Sequence, residues 1–294
     1  MKIGFIGLGI MGKPMAKNLL KAGKELLVND LNKDAVKELC SLGATEADYA
    51  QIGKECDKII IIVPNGDIVK SILFGENGVA SQAKEGAVIC DMSSVTPVES
   101  KYCHDLLIKQ NVGFLDAPVS GGEPGAIEGT LAIMAGGEEE NFNRMKEIFD
   151  IIGSSAIFIG PSGSGSITKL ANQIIVNNTI AIVSEAFVFA KKAGADPQKV
   201  YEAIRGGLAG SAVLDAKIPM ILDRNFKPGG SLTINHKDIK NVVNTAHSLD
   251  IPIPYSAQLY EILQAMKIHG HLGDDHGGIV QYFEALADIK VERG

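Results

Sequence analysis

The sequence predicts an α/β protein with a doubly wound parallel sheet in its first half and an all-helical second half, the two joined by one long helix. Three observations carry this. Up to about residue 160, short apolar runs rich in Val and Ile alternate with helical patterns, the rhythm of βαβ units. Beyond it the strand signal stops and apolar stripes of helical period take over. Between the halves, residues 165–192 are apolar nearly all round and span roughly 42 Å if helical throughout. The expected domains are therefore 1–161 and 162–294.

Taken in order, strands are expected near residues 2–6, 25–29, 58–63, 87–91, 112–116, 130–135 and 156–159. Helical patterns cover 10–22, 33–42 and 97–110, the last opened by Thr96-Pro97. In the second half Asp196-Pro197 starts a helix and Gly206-Gly207 stops it. Ile239, Val242, Val243, Ala246 and Leu249 form one amphipathic stripe, and Leu259, Ile262, Leu263 and Met266 another. A helix as apolar as 165–192 is buried on every side, which requires the second half or a second subunit to wrap it, so a homodimer or homotetramer is expected.

Composition narrows the class. With 46% hydrophobic and 21% charged residues, the 294-residue chain is an ordinary globular one, and its net charge of −7 argues against a nucleic-acid or anionic-membrane partner. The start, MKIGFIGLG, lacks a signal-peptide core, so a cytoplasmic protein is expected. Cys40, Cys56, Cys90 and Cys103 show no CxxC spacing and suit reduced, packed thiols. Residues 170–190 are long enough to span a membrane, but Asn172, Gln173, Asn177, Asn178 and Glu185 interrupt them, which reads as a helix buried in protein.

Gly7-Leu8-Gly9-Ile10-Met11-Gly12 is a GxGxxG that follows a strand and opens a helix, and the acidic Asp30 stands 23 positions after Gly7 at the end of the second strand. That context makes a Rossmann-type dinucleotide site: glycines for the tight turn and the pyrophosphate, Asp30 for the adenosine ribose hydroxyls. Asp30 repels a 2′-phosphate and no Arg follows it, which favours NAD over NADP; Lys33 is the one basic residue nearby. Val63-Pro64-Asn65 and the segment from Asp91 to Thr96 lie at strand ends, where such sheets bind ligands. The hydroxyls of Ser93 and Thr96 have two readings, lining the nicotinamide ribose or capping the next helix.

Asp116-Ala117-Pro118-Val119-Ser120-Gly121-Gly122 follows another strand end. Its glycines offer backbone N–H groups for a carboxylate, with the Ser120 hydroxyl beside them; a structural turn is the other reading. Lys169 lies on the apolar helix with Asn172 and Gln173 at i+3 and i+4, one polar stripe. A buried ammonium needs a partner or a wet cleft, and a lysine beside a carbonyl can protonate the alkoxide left by hydride transfer. A surface Lys at a frayed helix start is the bland alternative. His269, His271 and His276 with Asp274 and Asp275 match no familiar metal-ligand spacing, so no metal is expected and the aspartates read as turn and cap.

FIGLGIMGKPMAKNL, DAPVSGG, GSGSITKLANQ and NHKDI stand in that order, and together they resemble the β-hydroxyacid dehydrogenase family from residue 1 to about 290. The segment AIRGGLAGS at 203–211, with LDAK and DRNFKPG after it, resembles the reductase subgroup, as does Asn172-Gln173 where many members carry paired Asn. The resemblance implies an N-terminal Rossmann domain, an all-α C-terminal domain, NAD or NADP as cofactor and a small-molecule carboxylate substrate. It implies Lys169 as catalytic acid/base, Ser120, Gly121 and Gly122 on the substrate carboxylate, and Asn172 orienting the substrate beside Gln173. Lys237 and Asp238 are implied to close over the nicotinamide side. A dinucleotide-binding sensor without catalysis is the alternative class, and Lys169 standing with Ser120 and Asn172 argues against it.

Overall fold

The structure is a computed structural model and describes residues 2–293. The chain divides into two compact units, Met1–Lys169 and Leu170–Gly294. The first opens with β1 (Lys2–Ile6), α1 (Gly12–Lys21), β2 (Glu25–Asn29), α2 (Lys33–Ser41), β3 (Thr45–Glu46), α3 (Tyr49–Glu55) and β4 (Lys58–Ile61). It continues through α4 (Gly66–Phe74), β5 (Val88–Asp91), α5 (Pro97–Leu107), β6 (Gly113–Asp116), β7 (Val119–Ser120) and α6 (Gly122–Glu128). Then come β8 (Leu131–Gly137), α7 (Glu139–Ile152), β9 (Gly153–Gly160) and the start of α8 (Ser164–Lys192).

The strands form one sheet in the order β3-β2-β1-β4-β5-β6-β8-β7, with β9 on β8. The run from β3 to β6 is parallel and reverses its direction of growth between β1 and β4. Side chains alternate across the pleat. Ile3, Phe5, Val28, Ile60, Val88, Cys90 and Leu115 pack on one face with Met15 and Leu19 of α1 and Ile148 of α7. Ile6, Leu27, Ile59, Ile61, Ile89 and Phe114 pack on the other with Ile52 of α3, Val69 of α4 and Leu107 of α5. A sheet covered on both faces is the doubly wound arrangement, and it explains why these strands read as unbroken apolar runs.

One edge of the sheet departs from the parallel arrangement. β8 runs antiparallel to β6 and β7, while β9 is parallel to β8. Residues 117–130 connect β6 to β8 through β7 and the seven-residue α6, and β7 pairs with β8 as an antiparallel hairpin, Val119 opposite Ile133 and Ser120 opposite Ala132, so the chain turns back beside β6 instead of crossing over. The strand expected at 58–63 stops at Ile61. β3 and β7, two residues each, are too short to carry a periodicity.

The second unit holds the rest of α8, then α9 (Pro197–Ile204), α10 (Ala212–Leu222), α11 (Leu232–Ser248), α12 (Pro254–Ile268) and α13 (Val280–Ala287). The Asp196 carboxylate caps α9 by accepting the Gln198 N–H. α11 buries Ile239, Val242 and Ala246, and α12 buries Leu259, Ile262, Leu263 and Met266. Leu249, the last member of its expected stripe, sits at the α11 C-cap and is exposed. Val183 and Phe187 of α8 pack with Tyr201, Leu214, Ile218 and Ile221, and Ile180 packs with Leu232, Ile239 and Leu263. The opposite stripe of α8, Ile175, Ile182 and Phe189, is 68%, 63% and 74% exposed. Within one chain, therefore, the helix is buried on one side only.

Candidate active site

The Gly-rich loop leaves β1 at Gly7, whose φ of 98° lies in the left-handed region that favours glycine. A Cβ on Gly7 would lie 2.0 Å from the Ile62 carbonyl oxygen, and one on Gly12 would lie 1.9 Å from the Gly7 carbonyl oxygen. The packing of the loop itself thus requires both. Gly9 is different: a Cβ there meets nothing within 4 Å, so only an approach from outside the chain calls for its bare backbone. Leu8 is buried in the core while Ile10 is 47% exposed. Met11 caps α1 with no side-chain hydrogen bond, and the first turn carries no acidic residue, which leaves the positive end of the helix for an anion. Such a loop and helix start can receive an anion such as a pyrophosphate.

Asp30 stands where β2 ends. Its Oδ2 accepts the Leu8 N–H at 2.5 Å and its Oδ1 accepts the Asn32 N–H at 2.6 Å, so one carboxylate ties the Gly-rich loop to the segment leading into α2. The residues present fit a dinucleotide, with the pyrophosphate over Gly9 and the ribose at Asp30.

Across the sheet's switch point, between β1 and β4, the loops after β4 and β5 are stitched together. The Val63 N–H donates to Ser93 Oγ at 2.9 Å, and the Ser93 N–H donates to Asp91 Oδ1 at 2.9 Å. Asn65 caps α4 by accepting the Ile68 N–H. Thr96 forms a capping box with Glu99 at the start of α5. Of the two readings for these hydroxyls, Thr96 is engaged as a helix cap and Ser93 as a tie between loops. Asp91 is 1% exposed and its Oδ2 has no hydrogen-bond partner. Burial pushes its carboxyl up to about 7, against the pull of the Ser93 hydrogen bonds, and the neighbouring Asp116 charge raises it further.

Asp116, the ladder partner of Asp91, ends β6. Its Oδ1 accepts the Gly163 N–H and its Oδ2 the Ser166 N–H, both at 2.7 Å, which caps the helix that carries Lys169 one turn later. The hydroxyls of Ser166 and Ser100 of α5 lie 2.9 Å apart. A Cβ on Gly165 would stand 2.2 Å from the Asp116 carbonyl oxygen, so only glycine lets α8 start this close to the sheet. Lys169 is 9% exposed, which removes the surface-lysine reading. Ser120 lies on β7, and Gly121 and Gly122 follow with φ of 136° and 63°, backbone states that favour glycine.

Further along α8, Asn172 Nδ2 donates to Gln173 Oε1 at 3.0 Å, and Gln173 Nε2 donates to Asp238 Oδ2. Lys237 Nζ lies 3.0 Å from Asp238 Oδ1. Asp238 is 2% exposed and holds both Gln173 and Lys237. Asp275 caps the turn at His276 by accepting the Gly277 N–H, and its Oδ1 also holds Lys217 at 2.7 Å. Asp91, Asp116, Ser100 and Ser166 carry no role in the sequence reading. A charged residue at the end of an apolar strand was the available signal, but its partners lie too far along the chain to be inferred.

Residues 2–160 match the NAD binding domain of 6-phosphogluconate dehydrogenase, and residues 163–283 match the model described as NAD-binding of NADP-dependent 3-hydroxyisobutyrate dehydrogenase. The chain is 42% identical to 2-hydroxy-3-oxopropionate reductase of Escherichia coli K12 over 99% of its own length and 100% of that protein. It is 34% identical to 3-sulfolactaldehyde reductase of the same organism, over 98% of this chain and 97% of that one. The crystal structure of a 3-hydroxyisobutyrate dehydrogenase from Salmonella typhimurium superposes with a TM-score of 0.87 at 28% identity, covering 96% of this chain and 99% of the other. A Gly-rich cradle with Asp30 behind it and full-length kinship of this degree lead to one conclusion: the chain belongs to the β-hydroxyacid dehydrogenase family and is an enzyme, an oxidoreductase that binds NAD(P).

Proposed function

We propose that this enzyme reduces tartronate semialdehyde (2-hydroxy-3-oxopropionate) to D-glycerate, with NADH as the reductant. The observation that carries this reading is the 42% identity over the full length to a 2-hydroxy-3-oxopropionate reductase. Relatives named for other substrates stand lower, such as the bovine mitochondrial 3-hydroxyisobutyrate dehydrogenase at 30%. That relative supports 3-hydroxyisobutyrate oxidation as the second reading.

In the proposed mechanism the Ser120 hydroxyl and the Gly121 and Gly122 N–H groups hold the substrate carboxylate, as donors fixed before the reaction begins. Asn172 orients the substrate, beside Gln173. When bound, the reduced nicotinamide supplies a hydride to the aldehyde carbon. The Lys169 ammonium gives its proton to the aldehyde oxygen as negative charge develops there, and takes a proton in the reverse direction. Gly7 to Gly12 and Asp30 bind the dinucleotide on the adenosine side, with Val63, Pro64, Asn65, Ser93 and Thr96 framing the nicotinamide side. Lys237, held by Asp238, is read as a further nicotinamide-binding residue. The enzyme works as a homo-oligomer, a reading supported by the open apolar stripe on α8, and in the cytoplasm.

The test is a panel of tartronate semialdehyde, methylmalonate semialdehyde, succinate semialdehyde and glyoxylate, each with NADH and NADPH. Tartronate semialdehyde with NADH is expected to give the highest kcat/KM. A tenfold higher value for methylmalonate semialdehyde moves the assignment to 3-hydroxyisobutyrate dehydrogenase, and a higher value with NADPH overturns the cofactor reading.

A further inference from the structure

The segment after β2 decides whether an adenosine ribose with or without a 2′-phosphate is accepted. Lys33, the first residue of α2, is the basic group that sequence alone offers to such a phosphate. In the fold it is engaged elsewhere: its Nζ lies 2.7 Å from Glu46 Oε1. Glu46 belongs to β3, which pairs in parallel with β2 in the register Val28 to Glu46, and the Asn29 side chain donates to the Ala47 carbonyl. The sheet therefore sets Glu46 beside the end of β2, on the approach to Asp30.

Other donors in this segment are engaged as well. Asp30 accepts the Asn32 N–H, and the Asn32 side chain accepts the N–H groups of Asp34 and Ala35 at the start of α2. The hydrogen bond to Glu46 raises the Lys33 ammonium above its ordinary range, burial works against this, and the Glu46 and Asp30 charges add to the rise. The Tyr49 phenol nearby is pushed up by burial and by Asp30. Lys33 and Glu46 are 59% and 50% exposed, so a bound nucleotide can reach both.

We infer that Glu46 is a specificity residue for the coenzyme: by holding Lys33, it denies a 2′-phosphate an ammonium placed to receive it. A phosphate monoester carries a charge of about −2, so with the Lys33 charge already neutralised by Glu46 it meets the Asp30 carboxylate with no free cation to offset the repulsion. NADH, whose ribose carries two hydroxyls, needs only Asp30. The inference rests on placing the adenosine ribose at Asp30, and it is independent of which aldehyde is reduced.

The experiment is a double-mutant cycle read by direct titration of NADH and NADPH, using coenzyme fluorescence or calorimetry with no substrate present. Glu46→Gln is expected to tighten NADPH by roughly three- to tenfold while NADH stays within about twofold. Lys33→Ala alone is expected to change NADPH by less than about twofold, and in the Lys33→Ala background the gain from Glu46→Gln is expected to vanish. No gain from Glu46→Gln, or a gain of the same size without Lys33, overturns the inference, the latter because Glu46 then acts by direct repulsion. Asp30→Asn checks the placement separately. If it binds NADH as the wild type does, the ribose is not at this end of β2, and both the placement and the inference fall.

Discussion

Asp116 and Ser166, fifty residues apart in the chain, are joined by a buried 2.7 Å hydrogen bond from the Ser166 N–H to the Asp116 carboxylate, the bond that seats the start of α8 on the sheet. The other carboxylate oxygen takes the Gly163 N–H, so both lone N–H groups depend on one side chain. The position of Lys169 follows from this cap.

Asp116→Ala strips the acceptor from two N–H groups at once. Urea unfolding is expected to show a loss of about 3 kcal/mol, since each buried donor left unsatisfied costs about 1–3 kcal/mol. A loss below about 1 kcal/mol would mean that water replaces the carboxylate, and the cap would then not govern the seating of α8.

Asp91 makes stability depend on pH in a definite direction. Its carboxyl sits at about 7 in the folded protein against a reference of 3.8, so between these values the folded state keeps a proton that the unfolded chain has released. Stability contributed by this group is therefore complete at low pH and is lost as pH rises through that window. Asp91→Asn mimics the protonated acid. Its advantage over the wild type is expected to grow by about 1.4 kcal/mol per unit between pH 5 and 7, measured by denaturant unfolding. An advantage that does not change with pH would show that the carboxyl is ionised throughout.

Chemistry and binding are expected to separate by mutation. Lys169→Ala should lower kcat by on the order of 10² to 10⁴ with the Kd for NADH nearly unchanged, the pattern for loss of a general acid. Ser120→Ala should act mostly on KM, because the proposed contact of its hydroxyl is to a carboxylate that does not change in the reaction. Near-wild-type turnover in Lys169→Ala would remove the proposed acid.

The stripe Ile175, Ile182 and Phe189 repeats every seven residues and stays open in the single chain, the pattern of a helix that packs on another. Light scattering at micromolar concentration is expected to report at least a dimer, and Ile182→Asp to shift it toward smaller species. A wild-type monomer that is stable and active would refute the oligomer.

The sequence by itself determined whatever is encoded within a few residues. β1 and β2 fall where the apolar runs place them, the GxGxxG turn and Asp30 stand at their ends, and Asp196 caps its helix, because strand alternation, glycine turns and caps are local physics. The length of α8 was legible for the same reason. Only the tertiary structure decided which side of α8 is covered, that β8 turns antiparallel, and that Thr96 serves as a cap while Ser93 bridges to Val63. It also brought Glu46 to Lys33 and Asp116 to Ser166. Those pairings depend on where the sheet carries segments far apart in the chain. A side chain such as Asp116 shows its charge in the sequence, but its hydrogen-bond partners exist only once the strands have set their order and register.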